Sequence, residues 1–315
     1  MPSRTLRHSY KEIQLKQLRG FCETARLGSL SAAAVSLGLT QPTVWEQVRA
    51  LEREFATRLV EPHGRGCRLT EDGRVLATLI APLVAGIDSL KQHFAQARGT
   101  GETWLTLATT QRVLVEDLPR PIREFERLHP NIRLRFVELA GDQIVRAVEA
   151  READLGLTTE QATMPPSPWL EFEPIYELDP ILITPKKHPL ARRHTVRPKD
   201  LLGYPIVNSQ RGGFADRAIA ATLDKLGVFQ KQPQRVEAIY TAVIRRYVEL
   251  GFGIGIVPGL PERTPLPHLH ERSMSRHFGR VAINLVWRKG TLRNESIRAF
   301  ADIVKELLRP PKAKA

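Results

Sequence analysis

At 315 residues the chain exceeds a typical single domain, so two or three cores are expected. Its 42% hydrophobic and 26% charged residues are those of a globular protein, and its net charge of +13 points to polyanionic partners, nucleic acid first and an anionic membrane surface second. Two cysteines, Cys22 and Cys67, are too few for a disulfide framework or a closed zinc site, so no metal and no cofactor is expected.

The charge is spread out, with a net +5 over residues 1–98 and a net +8 over 99–315, so part of it is available to an anionic small ligand or to solubility. Met1 to Gln14 is polar and lacks the apolar core of a signal peptide. No stretch is expected to reach the ~20 apolar residues that span a bilayer, which predicts a cytoplasmic protein without membrane contact.

Leu15, Leu18, Phe21, Cys22 and Ala25 recur at helical spacing, and Gly28 ends the run. Ser29 or Ser31 offers an N-cap to an Ala-rich helix over 32–37, which Gly38 stops. Gln41-Pro42 opens a third helix, whose apolar positions are Val44, Val48, Leu51 and Phe55. Three short helices with a tight glycine turn between the second and third predict a helix-turn-helix. Residues 58–69, with Pro62, Gly64 and Gly66 between apolar ends, predict a hairpin wing carrying His63, Arg65 and Arg68 at its tip. Cys67, between those two arginines, is placed where a thiolate would be favoured, whereas Cys22 belongs to the core.

Thr70, followed by Glu71, Asp72 and Gly73, caps a long helix to about residue 98. Leu76, Ile80, Leu83, Ile87, Leu90 and Phe94 alternate along it at spacings of four and three, the a/d seam of a coiled coil. The alternative is packing on its own domain. A dimerisation helix is preferred because that domain is too small to cover the stripe, and Pro82 is expected to kink it.

From Trp104 the period changes. Strands are predicted at 104–109, 132–138, 154–157, 170–176, 181–184, 206–207, near 236, at 254–257 and 281–287, with helices at 113–129, 141–150, 214–226, 240–250 and 294–308. This alternation indicates a mostly parallel α/β architecture. The expected layout is a winged helix-turn-helix over 1–70, a linker helix over 71–99, an α/β domain over 100–309 and a disordered basic tail over 310–315. The α/β domain divides into lobe I (about 100–176 and 279–309) and lobe II (about 177–278).

Gly28-Ser29-Leu30-Ser31-Ala32-Ala33-Ala34, then Leu39-Thr40-Gln41-Pro42-Thr43-Val44, Leu51-Glu52 and Arg68-Leu69-Thr70-Glu71-Asp72-Gly73 stand in an order and spacing that resemble the LysR-type transcriptional regulators. The resemblance implies a ligand-sensing second domain similar to type 2 periplasmic binding proteins, assembly as dimers or tetramers, and RNA polymerase as a partner if the chain is an activator. Leu107-Ala108-Thr109-Thr110, Thr158-Thr159-Glu160 and Arg246-Tyr247-Val248-Glu249-Leu250-Gly251 are most similar to the branch that activates cysteine-biosynthesis genes. That implies a small anionic effector of sulfur metabolism; an aromatic or other carboxylate is the alternative.

The third helix makes a case for DNA without the family. Thr40, Gln41, Pro42 and Thr43 form the end that enters the major groove in helix-turn-helix proteins, where Gln pairs with adenine and Thr meets a phosphate or a thymine methyl. Ser31, Gln47, Arg49 and Arg53 extend that surface, and His63, Arg65, Arg68 and Thr70 add the wing; the plainer alternative is a solvated polar face. Where the family carries a small hydroxyl residue and a basic or amide residue, this chain has Trp45 and Glu46, which puts base preference in question: Trp45 is expected either to contact DNA, stacking on a sugar or a methyl, or to turn inward to the core.

For the effector, Thr109, Thr110 and Gln111 end one strand and Thr158 and Thr159 another, where open α/β sheets bind ligands. Ser209, Gln210 and Arg211 form a polar loop expected to contribute from lobe II, with Tyr240 and Thr241 as weaker candidates. Ordinary capping and surface charge are the alternatives. Gly251, Gly253 and Gly255 follow a helix and precede a strand, the reverse of a dinucleotide-binding turn, so a helix stop and a close backbone approach are expected. His268, His270 and His277, beside Pro265 and Pro267, read as a surface loop. A stand-alone solute-binding protein is disfavoured by the helix-turn-helix, and an enzyme by the lack of a nucleophile elbow, phosphate loop or metal-ligand motif.

Overall fold

A computed structural model of the chain describes residues 13–98, 103–139, 141–159, 167, 169–208, 221, 223–225, 236–238, 240–260, 266–290 and 295–308. The expected tail, the loop 209–211 and most of the helix expected at 214–226 lie outside them. The described residues fall into two compact units, one built on residues 1–101 with 166–170 and 288–292, the other on the remainder.

The first unit begins with α1 (Leu15–Leu27), α2 (Leu30–Leu37) and α3 (Gln41–Glu54). Gly28 and Gly38 close the first two helices in the left-handed conformation, at φ 61° and 64°, where a side chain would be strained. Ser29 is the cap of α2, accepting from the Ala32 N–H at 3.3 Å, so that helix starts two residues earlier than expected. The wing is the antiparallel hairpin β1 (Val60–His63) and β2 (Gly66–Leu69), turned at Gly64-Arg65. Phe21, Cys22, Val48, Leu51, Leu59, Val60, Leu76, Ala77 and Ile80 form its core.

Helix α4 (Glu71–Ala97) continues through Pro82. The expected seam splits. Leu76 and Ile80 are buried in the unit's own core, whereas Leu83, Ile87, Leu90 and Phe94 are exposed, joined by Val75 and Leu79 one position before the buried pair. At about 100° per residue those six lie within one third of the helix circumference, so a free apolar stripe exists but is phased differently at its start. Residues 71–90 are also long and apolar enough, by length and composition, to cross a membrane, contrary to expectation, although a third of that span is buried in the unit.

The second unit is a nine-stranded sheet in the order β4-β3-β5-β11-β6-β9-β7-β8, with β10 paired to β6. Its strands are β3 (Thr103–Thr109), β4 (Ile132–Glu138), β5 (Leu155–Thr158), β6 (Leu170–Pro185), β7 (Ile206–Asn208), β8 (Val236–Glu237), β9 (Ile254–Gly259), β10 (Leu269–Ser273) and β11 (Val281–Arg288). The sheet is mixed rather than mostly parallel. β3 runs parallel to β4 and β5, and β7 to β8 and β9, but β11 is antiparallel to β5 and β6 to β9. The reason is that β6 and β11 carry the chain between two lobes and so run against their neighbours.

Around lobe I pack α5 (Pro119–Leu128), α6 (Asp142–Glu149) and the late helix 295–308, with Phe125 edge-on to Phe300 at 5.4 Å in the core. In lobe II, α7 (Thr241–Glu249) packs through Ile244 and Val248 on Ile183, Val207 and Val257. Gly253 fits under Pro205 so closely that an added Cβ would lie 2.1 Å from its carbonyl oxygen. The loop expected around the histidines is instead ordered: His270 lies in β10, opposite Thr184, and His277 in the short α8 (Ser275–Phe278), which precedes α9 (Glu295–Leu308).

Candidate nucleic-acid interface and ligand cleft

The N-terminal end of α3 is a rigid polar corner. Thr40 caps the helix, accepting from the Thr43 N–H at 3.4 Å, and the two threonine hydroxyls are 2.8 Å apart. The Ser31 hydroxyl donates to Gln41 Oε1 at 3.0 Å, which leaves the Gln41 amide N–H groups to an outside acceptor. Gln41, Pro42, Thr43 and Trp45 are exposed at the start of the helix, while Val44, Val48 and Leu51 are turned into the core. His63, Arg65 and Arg68 are exposed on the wing, Arg68 paired with Glu61 at 2.7 Å.

Three expected contact residues are placed otherwise. Gln47 is buried against Gly20, where even one added carbon would clash, so it packs α3 on α1 rather than facing solvent. Arg49 is engaged internally, its guanidinium 2.7 Å from Glu52 and over the Trp45 ring. The Thr70 hydroxyl donates to the Arg58 carbonyl at 2.7 Å and accepts from the Gly73 N–H at 3.0 Å, so its work is capping α4. Arg53 is exposed but faces Glu46 at 3.9 Å. Cys67 is half-buried in β2, and burial pushes its thiol up, against the thiolate expected from its neighbours.

In the second unit, the register Thr109↔Leu157 puts the ends of β3 and β5 side by side, so Thr110, Gln111, Thr158 and Thr159 share one edge of the sheet. Thr109 is fully buried and its hydroxyl donates to the Leu157 carbonyl at 2.9 Å, which makes it a tie between strands. Thr110, Gln111 and Thr159 are half-buried and open to that edge, while Thr158 is buried. Tyr240 and Thr241 start α7 on the other lobe, the first exposed and the second buried. Ser209, Gln210 and Arg211 lie outside the described residues.

Two charged groups beside this edge escaped sequence reasoning. After Gln111 the chain takes a π-helical turn, Val113–Asp117, closed by the Leu118 N–H on the Val113 carbonyl at 3.0 Å. The wide turn aligns residues five apart, so buried Arg112 grips Asp117, which also accepts from the Tyr176 hydroxyl at 2.7 Å. Burial, with the Asp117 charge beside it, pushes the Tyr176 phenol well above its ordinary value. The second group is Arg245 of α7, which crosses to Glu116 on that turn and lies 3.5 Å from Glu271 of its own lobe. A separation of 129 residues left no local signal for the Arg245–Glu116 pair.

Comparison with known proteins supplies the context. Residues 15–74 match a bacterial regulatory helix-turn-helix model of the LysR family, and residues 98–309 match the LysR substrate binding domain. The chain is 30% identical to the HTH-type transcriptional regulator CysB of Burkholderia cenocepacia, over 84% of this chain and 87% of that protein. It is 29% identical to the regulator SsuR of the same organism, over 84% and 88%. Among solved structures, HinK, a LysR family regulator from Pseudomonas aeruginosa, superposes with a TM-score of 0.56 at 19% identity, covering 94% of this chain and 99% of that one. The cofactor-binding domain of the Cbl transcriptional regulator superposes with a TM-score of 0.56 at 24% identity, covering 65% and 89%.

Proposed function

Because the chain belongs to the LysR family of DNA-binding transcriptional regulators, which are not enzymes, we propose that it reads promoter DNA through α3 and the wing under control of a small anion bound between its lobes. The observation that carries this reading is the exposed corner Thr40-Gln41-Pro42-Thr43 beside an arginine-tipped hairpin. It offers amide and hydroxyl groups to base edges while Arg65 and Arg68 reach phosphates. In this reading a winged helix-turn-helix over 1–70 and an effector domain over 100–309 are separate modules with the linker helix over 71–99 between them, and the free apolar stripe of α4 serves dimer formation, on the way to a dimer or tetramer.

At the ligand site, the half-buried Thr110, Gln111 and Thr159 form an edge of hydroxyl, amide and backbone N–H donors suited to sulfate or a carboxylate. The likeness to CysB and SsuR supports an effector of sulfur metabolism. The protein acts in the cytoplasm, and as an activator it would meet RNA polymerase at the promoter. Ligand acts by shifting the balance between assemblies that hold DNA differently.

The test is selection of genomic fragments by the purified full-length protein, with footprinting of the winners, alone and with sulfate or O-acetylserine. The expected result is a roughly symmetric protected site whose footprint changes with one of the two. Protection that ignores both removes the sulfur assignment, and no selective binding at moderate salt removes the DNA reading.

A further inference from the structure

Helix α3 carries Gln41, Trp45 and Arg49 at successive four-residue steps, so the three form one ridge that flanks the face buried by Val44, Val48 and Leu51. Trp45 is the largest side chain of that ridge and is 37% exposed. The Arg49 guanidinium carbon sits 4.1 Å from its ring centroid, covering one face of the indole. Arg49 is itself fixed by Glu52 at 2.7 Å, and the other Glu52 oxygen accepts the N–H groups of Leu59 and Val60 at 2.9 and 3.4 Å. Glu52 is 6% exposed. The indole is therefore braced, through two charged side chains, to the backbone that enters the wing.

This arrangement leaves the middle of the helix poor in groups that read guanine or phosphate. A bidentate contact to guanine needs an uncommitted guanidinium fork, whereas Arg49 is held by Glu52 and Arg53 faces Glu46. Between Gln41 and the committed arginines, the exposed group of the ridge is the indole of Trp45, which is apolar, and the apolar group that base edges present in the major groove is the C5-methyl of thymine. We propose that Trp45, positioned by Arg49, is a base-reading residue that recognises a thymine methyl. This rests on the reading that α3 enters the major groove, and the experiment separates the two.

A duplex selected by the full-length protein is resynthesised with each thymine of the footprint replaced in turn by deoxyuridine, which removes only the methyl. The wild type is expected to lose about fourfold in affinity at one thymine per half-site, the loss equivalent to one buried methyl. Trp45→Ser should bind DNA more weakly and show no loss at that thymine. Trp45→Phe, which keeps an apolar ring in case the serine variant folds poorly, should keep part of it. Arg49→Ala should blunt the same uracil effect while leaving affinity for random DNA within about twofold, as a positioning residue would, and Arg49→Lys should restore it in part. If the wild type binds selectively yet tolerates uracil at every position, the proposal is wrong. It is equally wrong if Trp45→Ser weakens all sequences alike with the uracil effect intact, which marks a sugar contact. Absence of selective binding altogether would instead defeat the placement of α3.

Discussion

Arg112 meets both carboxylate oxygens of Asp117, at 3.2 and 2.7 Å, with the two side chains only 8% and 0% exposed. A buried pair of this kind contributes little beyond what a well-packed apolar pair would, but breaking it strands a charge in the core. Asp117→Asn is therefore expected to destabilise the effector domain by about 3–5 kcal/mol, read from its urea unfolding midpoint. A triple replacement, Arg112→Met with Asp117→Leu and Tyr176→Phe, removes these three hydrogen-bonded side chains together and should restore most of that loss. A midpoint unchanged in Asp117→Asn would show that the pair carries no net burden of burial.

The free stripe of α4 carries a second prediction. Val75, Leu79, Leu83, Ile87, Leu90 and Phe94 are exposed on a helix braced to α1 by Arg19 and Asp88 at 2.5 Å. Leu83→Glu with Leu90→Glu places two carboxylates on the stripe without touching the core. The dimer dissociation constant, measured by sedimentation, should rise at least about tenfold, the effect of losing one buried leucine contact. An unchanged constant would mean that the units associate elsewhere.

What could be read from the sequence divides along the range of the interactions. Gly28, Ser29, Gly38 and Gly64 act within their own turns, and their helix stops, cap and hairpin were legible. The α4 seam was read at the right period, but the neighbouring core claims Leu76 and Ile80, and no pattern internal to the helix reveals that rotation. Two strands were expected at 170–176 and 181–184, yet β6 runs unbroken from Leu170 to Pro185, through Pro174 and Pro180, because its neighbours supply the pairing. β10 is a polar stretch, Leu-His-Glu-Arg-Ser, whose strand state comes from lying against β6. At the candidate site, the hydroxyl and amide edge of β3 and β5 was visible as strand ends. Arg245–Glu116 and the burial of Gln47 against Gly20 were not, since each depends on a partner brought by the fold; the Arg49–Glu52 pair, three residues apart on one helix, was open to a spacing argument.

Gln41 and Arg65 separate base reading from phosphate contact. Gln41→Ala removes the amide whose N–H groups face outward and should cost about tenfold on the selected site with little change on random DNA. Arg65→Ala should weaken both alike and lower the salt slope by about one unit. Equal losses on the two DNAs for Gln41→Ala would remove it from the base-reading set.

Acid sensitivity should come from lobe II. Burial holds His188 below its ordinary value of 6.5, and its ring accepts the Leu190 N–H at 3.2 Å beside Tyr204. Burial, and then the neighbouring Arg272, do the same to His270. Because both groups bind protons more readily in the unfolded chain, stability is retained above pH 6.5 and lost as the pH falls below it. The effector domain's urea midpoint should drop between pH 7.5 and 5.5, and His188→Asn, which keeps an acceptor without a titrating ring, should reduce the drop. A midpoint flat across that window would show that neither histidine resists protonation in the folded state.

The pair Glu116–Arg245 ties the lobes beside the edge where Thr110 and Gln111 lie. Glu271, 3.5 Å from the same guanidinium, belongs to the same lobe as Arg245, so if Glu116 is neutralised Arg245 has a partner at home and no reason to reach across. A ligand held between the lobes must then supply the closing free energy that the ion pair contributed. For a charge-assisted hydrogen bond at a partly buried site that is about 1–2 kcal/mol, or roughly five- to thirtyfold in apparent affinity. Glu116→Gln is expected to bind the effector identified by footprinting more weakly by that factor, and small-angle scattering of the unliganded protein should show a larger radius of gyration. DNA affinity without effector should be unchanged, because the recognition helix is untouched. An unaltered effector affinity with an unaltered radius would mean that the lobes are held together by their shared strands β6 and β11, and that the ion pair sits on a closed cleft without setting its closure.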